Sequence, residues 1–113
     1  MKRSIMDYDQ RAAVQLGLDM NDLLLIRWFV DFKGTEMMKH IVVDDQIYYW
    51  VHYQTVLDEL PILGINNRDV LRRRFKKLCD IGILKFHCER SKKGTYTYYN
   101  VDKSYVWLVN IKK

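Results

Sequence analysis

A chain of 113 residues is long enough for one domain with a real core and too short for two. Its 19 Lys and Arg against 14 Asp and Glu leave a formal charge of +5, which favours anionic partners without naming one. Two cysteines, Cys79 and Cys88, make no disulfide framework in a chain of this size, and both are expected to be reduced, as in a cytoplasm.

Met1 to Ser4 reads as a loose basic start, with no apolar run behind it long enough for a signal peptide. Asp9 to Leu16 has the alanines and spacing of a short helix, and Gly17 is placed to end it. Residues 1–18 are therefore expected to form an N-terminal extension. Asp19 can cap the next helix, with Asp22 at its third position. That helix runs to about Lys33 and ends at Gly34. Leu23, Leu24, Leu25, Ile26, Trp28, Phe29, Val30 and Phe32 leave it almost no polar face, so it must be covered on several sides. The run is broken by Arg27 and is too short to span a bilayer, and no membrane partner is expected. The simpler reading is the central helix of the domain. The sharper one is a homodimer contact along one edge, because a small domain has difficulty covering such a helix alone.

Thr35 to His40 reads as a further helical turn, Ile41-Val42-Val43 as a brief β-like run, and Asp44-Asp45-Gln46 as a turn. Ile47 to Val51 is aromatic and β-branched and predicts the first strand of a three-stranded sheet. Tyr53 to Leu60 predicts a short helix with Val56, Leu57 and Leu60 buried, ended by Pro61. Pro61 to Ile65 then turns the chain, and Gly64 permits a tight backbone.

The next stretch is the most informative. Asn66 can cap a helix, with Asp69 three residues on. Asp80-Ile81-Gly82 stops it, with Gly82 in the left-handed conformation. Val70, Leu71, Phe75 and Leu78 fall on one face. At about 100° per residue, Asp69, Arg72, Arg73, Lys76 and Lys77 gather on the other. Arg74 falls beside Val70 and Leu78, so its stem should pack while its head meets a carboxylate, Asp58 or Glu59. Ile83 to Glu89 predicts a second strand, Arg90 to Gly94 a basic loop, and Thr95 to Val101 a third strand. Asp102 can cap a short element, Lys103 to Val109, before the basic end.

Helix, strand, basic loop, strand is the order of a recognition helix and its wing. The expected fold class is α+β: a winged helix-turn-helix, helices packed on a small three-stranded antiparallel sheet. It would occupy residues 19–111, with the recognition helix at about 67–80 and the wing at about 89–95. A basic helix face alone is about as often plain solvated surface. Here two basic clusters stand at the two places where this architecture meets double-stranded DNA. Asn67, Arg68, Arg72 and Arg73 would reach base edges or nearby phosphates in the major groove, since arginine grips guanine and asparagine adenine with paired hydrogen bonds. Lys76 and Lys77 would touch phosphates, and Arg90, Lys92 and Lys93 the backbone or the adjacent minor groove. One module makes a small interface. Specific use implies a dimer, through Leu23–Phe32 and the C-terminal tail 105–111, or several copies on repeated sites.

Tyr49-Trp50-Val51, Leu57 to Leu63, Val70 to Leu84 and Gly94 to Tyr99 together resemble the N-terminal winged-helix domain of phage and plasmid replication initiators of Gram-positive bacteria. These are replisome-organiser proteins and relatives of the DnaD type. The resemblance runs from about Ala12 onward. It implies a domain that binds origin DNA or self-associates, beside a separate C-terminal part that contacts the helicase or its loader. No such part is present here, so the chain is expected to be either a fragment with replication partners or a complete small regulator.

Other chemistry finds little footing. His40, His52, His87, Cys79 and Cys88 lack metal-ligand spacing. Asp44-Asp45 reads as a turn, the glycines make no phosphate loop, and Cys79 lies inside a helix. Neither a catalytic site nor a cofactor is expected. Tyr96 and Tyr98 share one strand face and Tyr99 the other. Such rings can stack bases, but core and sheet-surface roles are commoner. Trp28 and Trp107 are expected in the core. Two functions compete with replication: an oligomerisation or protein-interaction module, and a transcriptional repressor.

Overall fold

The computed structural model describes residues 1–33, 35 and 38–109. The basic start is not loose throughout. Met6 and Asp7 both take positive φ, 53° and 67°, so the chain reverses and β1 (Ser4–Ile5) pairs with β2 (Tyr8–Asp9). This hairpin drives Tyr8 fully into the core, where its ring meets Tyr105 edge-on at 5.8 Å and lies under the Arg27 guanidinium. Burial, then the hydrogen bond with Tyr105, pushes the Tyr8 hydroxyl far above its ordinary pKa.

Helix α1 (Gln10–Gln15) is capped by the Asp9 carboxylate, which accepts from the Arg11 and Ala12 N–H groups. Helix α2 (Met20–Lys33) opens with a reciprocal cap. The Asp22 N–H donates to the Asp19 carboxylate at 2.8 Å, and the Asp19 N–H donates to the Asp22 carboxylate at 3.0 Å. Leu23, Leu25, Ile26, Trp28 and Phe29 are all buried, so α2 is the central helix, covered on most sides by its own chain. Its expected end, Gly34, lies outside the described residues. So do Glu36 and Met37 of the expected extra helical turn, while Thr35 and Met38 are bends and His40 opens a strand.

That strand overturns one expectation. β3 (His40–Val43) and β4 (Gln46–Trp50) form a hairpin across Asp44 and Asp45, both at positive φ. The sheet therefore has four antiparallel strands, in the order β3-β4-β6-β5, and not three. The physical reason is local: Ile41-Val42-Val43 has strand-forming side chains, and aspartate tolerates the left-handed backbone a two-residue hairpin turn demands. The three expected strands are present as β4, β5 (Leu84–Ser91) and β6 (Gly94–Val101).

Between β4 and β5 come α3 (Tyr53–Glu59), a single 3-10 turn at Pro61–Leu63, and α4 (Arg68–Asp80). Gly64 at φ 67° and Gly82 at φ 82° supply the left-handed residues that end the turn and α4. A Cβ on Gly82 would stand 2.8 Å from the Ser104 hydroxyl, because the chain closes back on Gly82 before α5 (Tyr105–Val109). The helices cover one face of the sheet. Phe75 of α4 lies 4.9 Å from Tyr99 and Phe29 of α2 lies 6.3 Å from Tyr49, centroid to centroid. The Tyr53 and Tyr99 hydroxyls meet at 2.7 Å. In α5 Leu108 is buried, but Trp107 is 62 % exposed, against the expectation that it joins the core. Five residues give one buried position per turn, and Leu108 takes it. No helix among the described residues is long and apolar enough to cross a membrane.

Candidate nucleic-acid interface

Helix α4 carries most of the expected site. Asn67 caps it, one residue later than expected, and its side-chain oxygen accepts from the Asp69 N–H at 2.7 Å. A two-bond grip on adenine by Asn67 would therefore cost the cap. Leu71, Phe75 and Leu78 are fully buried, while Val70 stands at the edge, 39 % exposed. The remaining positions divide into two sides with opposite character.

One side faces the start of α2. Asp22 is fully buried, and two cations of α4 serve it. Arg74 donates to Asp22 and to Asp19, both at 3.0 Å, and Lys77 donates to the other Asp22 oxygen at 2.5 Å. Two expectations are corrected here. Arg74 does have a packed stem and a carboxylate partner, but not Asp58 or Glu59. Glu59 instead accepts from the Trp28 indole at 2.8 Å, and Asp58 accepts from Gln54. Lys77, expected on phosphate, is held by Asp22. Removing either cation leaves a buried carboxylate short of its compensation, which is costly in a way an exposed pair is not. Burial pulls the Asp19 carboxyl up, but the Asp22 backbone N–H, then Arg74 and Lys77, outweigh it and hold it below its ordinary pKa. Burial lowers the Arg74 pKa, and Asp19 and Asp22 more than restore it.

The other side faces solvent. Arg68, Arg72, Arg73 and Lys76 are all exposed. Arg72 pairs with Asp69 at 3.2 Å and Lys76 with Asp80 at 2.9 Å, both within the helix and both exposed at each end. Such pairs are worth about 0–1 kcal/mol and release their cation readily to a phosphate. Among the described residues Arg68 bonds only the neutral Gln54 amide, at 3.2 Å. The Arg73 side chain has no hydrogen-bond or ion-pair partner among the described residues.

The β5–β6 hairpin stands beside this side. Its ladder runs to Ser91 opposite Gly94, so Arg90 sits within a strand, opposite Thr95, and the expected five-residue loop shrinks to a turn at Lys92 and Lys93. The Ser91 hydroxyl fixes that turn, accepting from the Lys93 N–H and donating to the Gly94 carbonyl. Arg90, Lys92 and Lys93 are exposed, and their side chains have no such partners among the described residues. A cleft of about 380 Å³ joins helix to hairpin, with Arg68 on one wall and Thr95, Tyr96 and Thr97 on another. The structure thus brings Arg68 beside the hairpin, leaves Arg72 and Lys76 exposed along α4, and sets Arg73 at the border of the two sides, in a cleft of about 300 Å³ that it shares with Asp19, Val70, Arg74 and Lys77.

Sequence reasoning missed the buried Asp22, whose only signal was its place in the cap, and the cleft residue Trp50; Tyr96 was weighed as a stacking ring and set aside for a sheet-surface role. Among the described residues no three His, Cys, Asp or Glu side chains converge as a metal would need. Burial, with Asp80 and Asp102 nearby, pushes the Cys79 thiol up to about 12 and makes it a poor nucleophile. No family model, curated protein or solved structure matches the chain.

Proposed function

We propose that the chain is a winged helix-turn-helix that binds double-stranded DNA, with α4 as recognition helix and the β5–β6 hairpin as wing. The element order supports this: α2, β4, α3, α4, β5, β6, with β4 pairing β6 beside the hairpin. The observation that carries the reading is the division of cations. Those that the fold needs are locked to Asp19 and Asp22, and those left over are exposed on α4 and on the hairpin, with Arg68 and the hairpin residues Thr95 to Thr97 lining one cleft.

In this reading α4 enters the major groove N-terminus first. Arg68, Arg72 and Arg73 meet base edges or nearby phosphates, Lys76 a phosphate, and Arg90, Lys92 and Lys93 the backbone flanking the groove. Phosphate contacts set the register and base contacts choose the site. With about five phosphates neutralised, log affinity falls against log salt with a slope of about −4 to −5. Two copies act together, joined through the tail, where Val106, Trp107 and Val109 are exposed. The resemblance of residues 49–51, 57–63, 70–84 and 94–99 to replication initiators supports phage or plasmid replication initiation as the process. Repression of transcription would use the same surface, and a protein-interaction module would use the tail in place of α4.

The test is fluorescence anisotropy with a random duplex at about 50 and 200 mM salt, for the wild type and for Arg72→Glu with Arg73→Glu. The reading expects salt-dependent binding by the wild type and its loss in a variant that still folds. Absence of duplex binding at 50 mM salt would remove it and leave the interaction module.

A further inference from the structure

The second face of the four-stranded sheet carries an aromatic surface that the duplex-binding reading does not use. Strand alternation sets Tyr48 and Trp50 of β4 and Tyr96 and Tyr98 of β6 on the face opposite Tyr49 and Tyr99, with Trp50, at the strand end, also bordering Trp28 and Phe32 of α2 and Thr55 and Glu59 of α3. None of the four belongs to the helical core cluster. Trp50 lies directly opposite Tyr98 in the ladder, and the Trp50 and Tyr96 rings meet edge-on at 5.6 Å. Tyr98 forms a floor, only 3 % exposed, while Tyr48, Trp50 and Tyr96 stand half-buried around it. Two lysines frame them. The Lys39 ammonium lies 5.8 Å from the Tyr96 centroid and the Lys85 ammonium 5.8 Å from the Tyr48 centroid.

The charge of this face is one-sided. Its one outward strand carboxylate among the described residues, Glu89, is bonded to His87 at 2.9 Å. Trp50 also divides two clefts. One, about 190 Å³, reaches Lys39 and, on its helix side, Glu59, whose carboxylate accepts from the Trp28 indole; the other, about 380 Å³, reaches Arg68. A cation thus stands on each flank of an aromatic platform. A second copy laid on this face would bring lysines against lysines with one engaged carboxylate to answer them. A polyanion with flat, stackable groups answers both features at once.

We propose that this outer sheet face binds a single-stranded polynucleotide, with unpaired bases stacked on Trp50 and Tyr96 and phosphates against Lys39, Lys85 and Arg68. The site stands on its own geometry and shares only Arg68 with the duplex surface.

Labelled dT20 and U20, titrated at about 50 mM salt, test it with the full chain. Trp50→Leu and Tyr96→Leu should each weaken binding about tenfold or more, as loss of a stacked base does. Lys39→Glu, at an exposed position, should weaken it several-fold in a protein whose melting temperature is unchanged. Trp50→Phe should keep binding within about threefold yet abolish the tryptophan quenching that the oligomer causes. Arg72→Glu with Arg73→Glu should lose the duplex and keep dT20, so failure of one site is distinct from failure of the other. Tighter binding of dT20 or of U20 identifies the natural strand. The proposal is overturned if the wild type binds neither oligomer better than Trp50→Leu does. It is equally overturned if Trp50→Leu changes only the sedimentation mass, which would make the face a contact between copies.

Discussion

Helix α4 has two charged sides built from the same residue types and used in opposite ways. Arg74 and Lys77 converge on a carboxylate with no exposure at all, whereas Arg72 and Lys76 hold exposed carboxylates one turn away and Arg73 holds none among the described residues. A cation bound to a buried anion is part of the fold, because leaving would strand that anion. A cation in an exposed pair is nearly free to leave. Counting lysines and arginines on a helix therefore overstates its capacity for phosphate, and burial of the partner decides which ones count.

The comparison can be broken from the committed side first. Asp22→Ala removes one half of the reciprocal cap and the shared partner of two cations, and should lower unfolding free energy by roughly 2–4 kcal/mol in a urea titration. Arg74→Met should cost about 2 kcal/mol by the same measurement, since Lys77 remains on the buried carboxylate. An unchanged or raised melting temperature for Arg74→Met would refute the committed side outright. Acid should erode this side as well. The folded Asp19 pKa lies below its unfolded value, so its contribution is present above the unfolded pKa and lost as pH falls through the folded one. Thermal melts of the wild type between about pH 5 and 2 should show that loss, and Asp19→Asn should flatten it. A smaller effect concerns the far end of α4. The exposed Cys88 should react rapidly with a thiol reagent near pH 8 in the native state, and the half-buried Cys79, with its raised pKa, far more slowly. Equal rates for both thiols would mean that the end of α4 is more open than described.

Much of this was legible in the residues. Local signals fixed Asp19 as a cap, Gly82 as a stop and the tyrosine-rich run 95–101 as a strand, because caps, left-handed glycines and strand propensity act over a few positions. Long-range pairing left no such trace. That Arg74 needed a carboxylate follows from its place on the apolar face, but the choice of Asp19 and Asp22, 55 and 52 residues away, follows from how α2 crosses α4. The hairpin at Ser4–Asp9 was hidden because Met6-Asp7 lacks the glycine or asparagine that usually announces such a turn. Alternation placed Tyr96 and Tyr98 on one face together, but not which face the helices would leave uncovered.

The most direct test of the division is the salt dependence of duplex affinity for three proteins side by side. The wild type should show a log–log slope of about −4 to −5, Arg72→Gln with Arg73→Gln a slope shallower by about 2, and Arg74→Met the wild-type slope at reduced thermal stability. A slope that falls as far for Arg74→Met as for the double variant would contradict the account, since both sides of α4 would then be meeting phosphate.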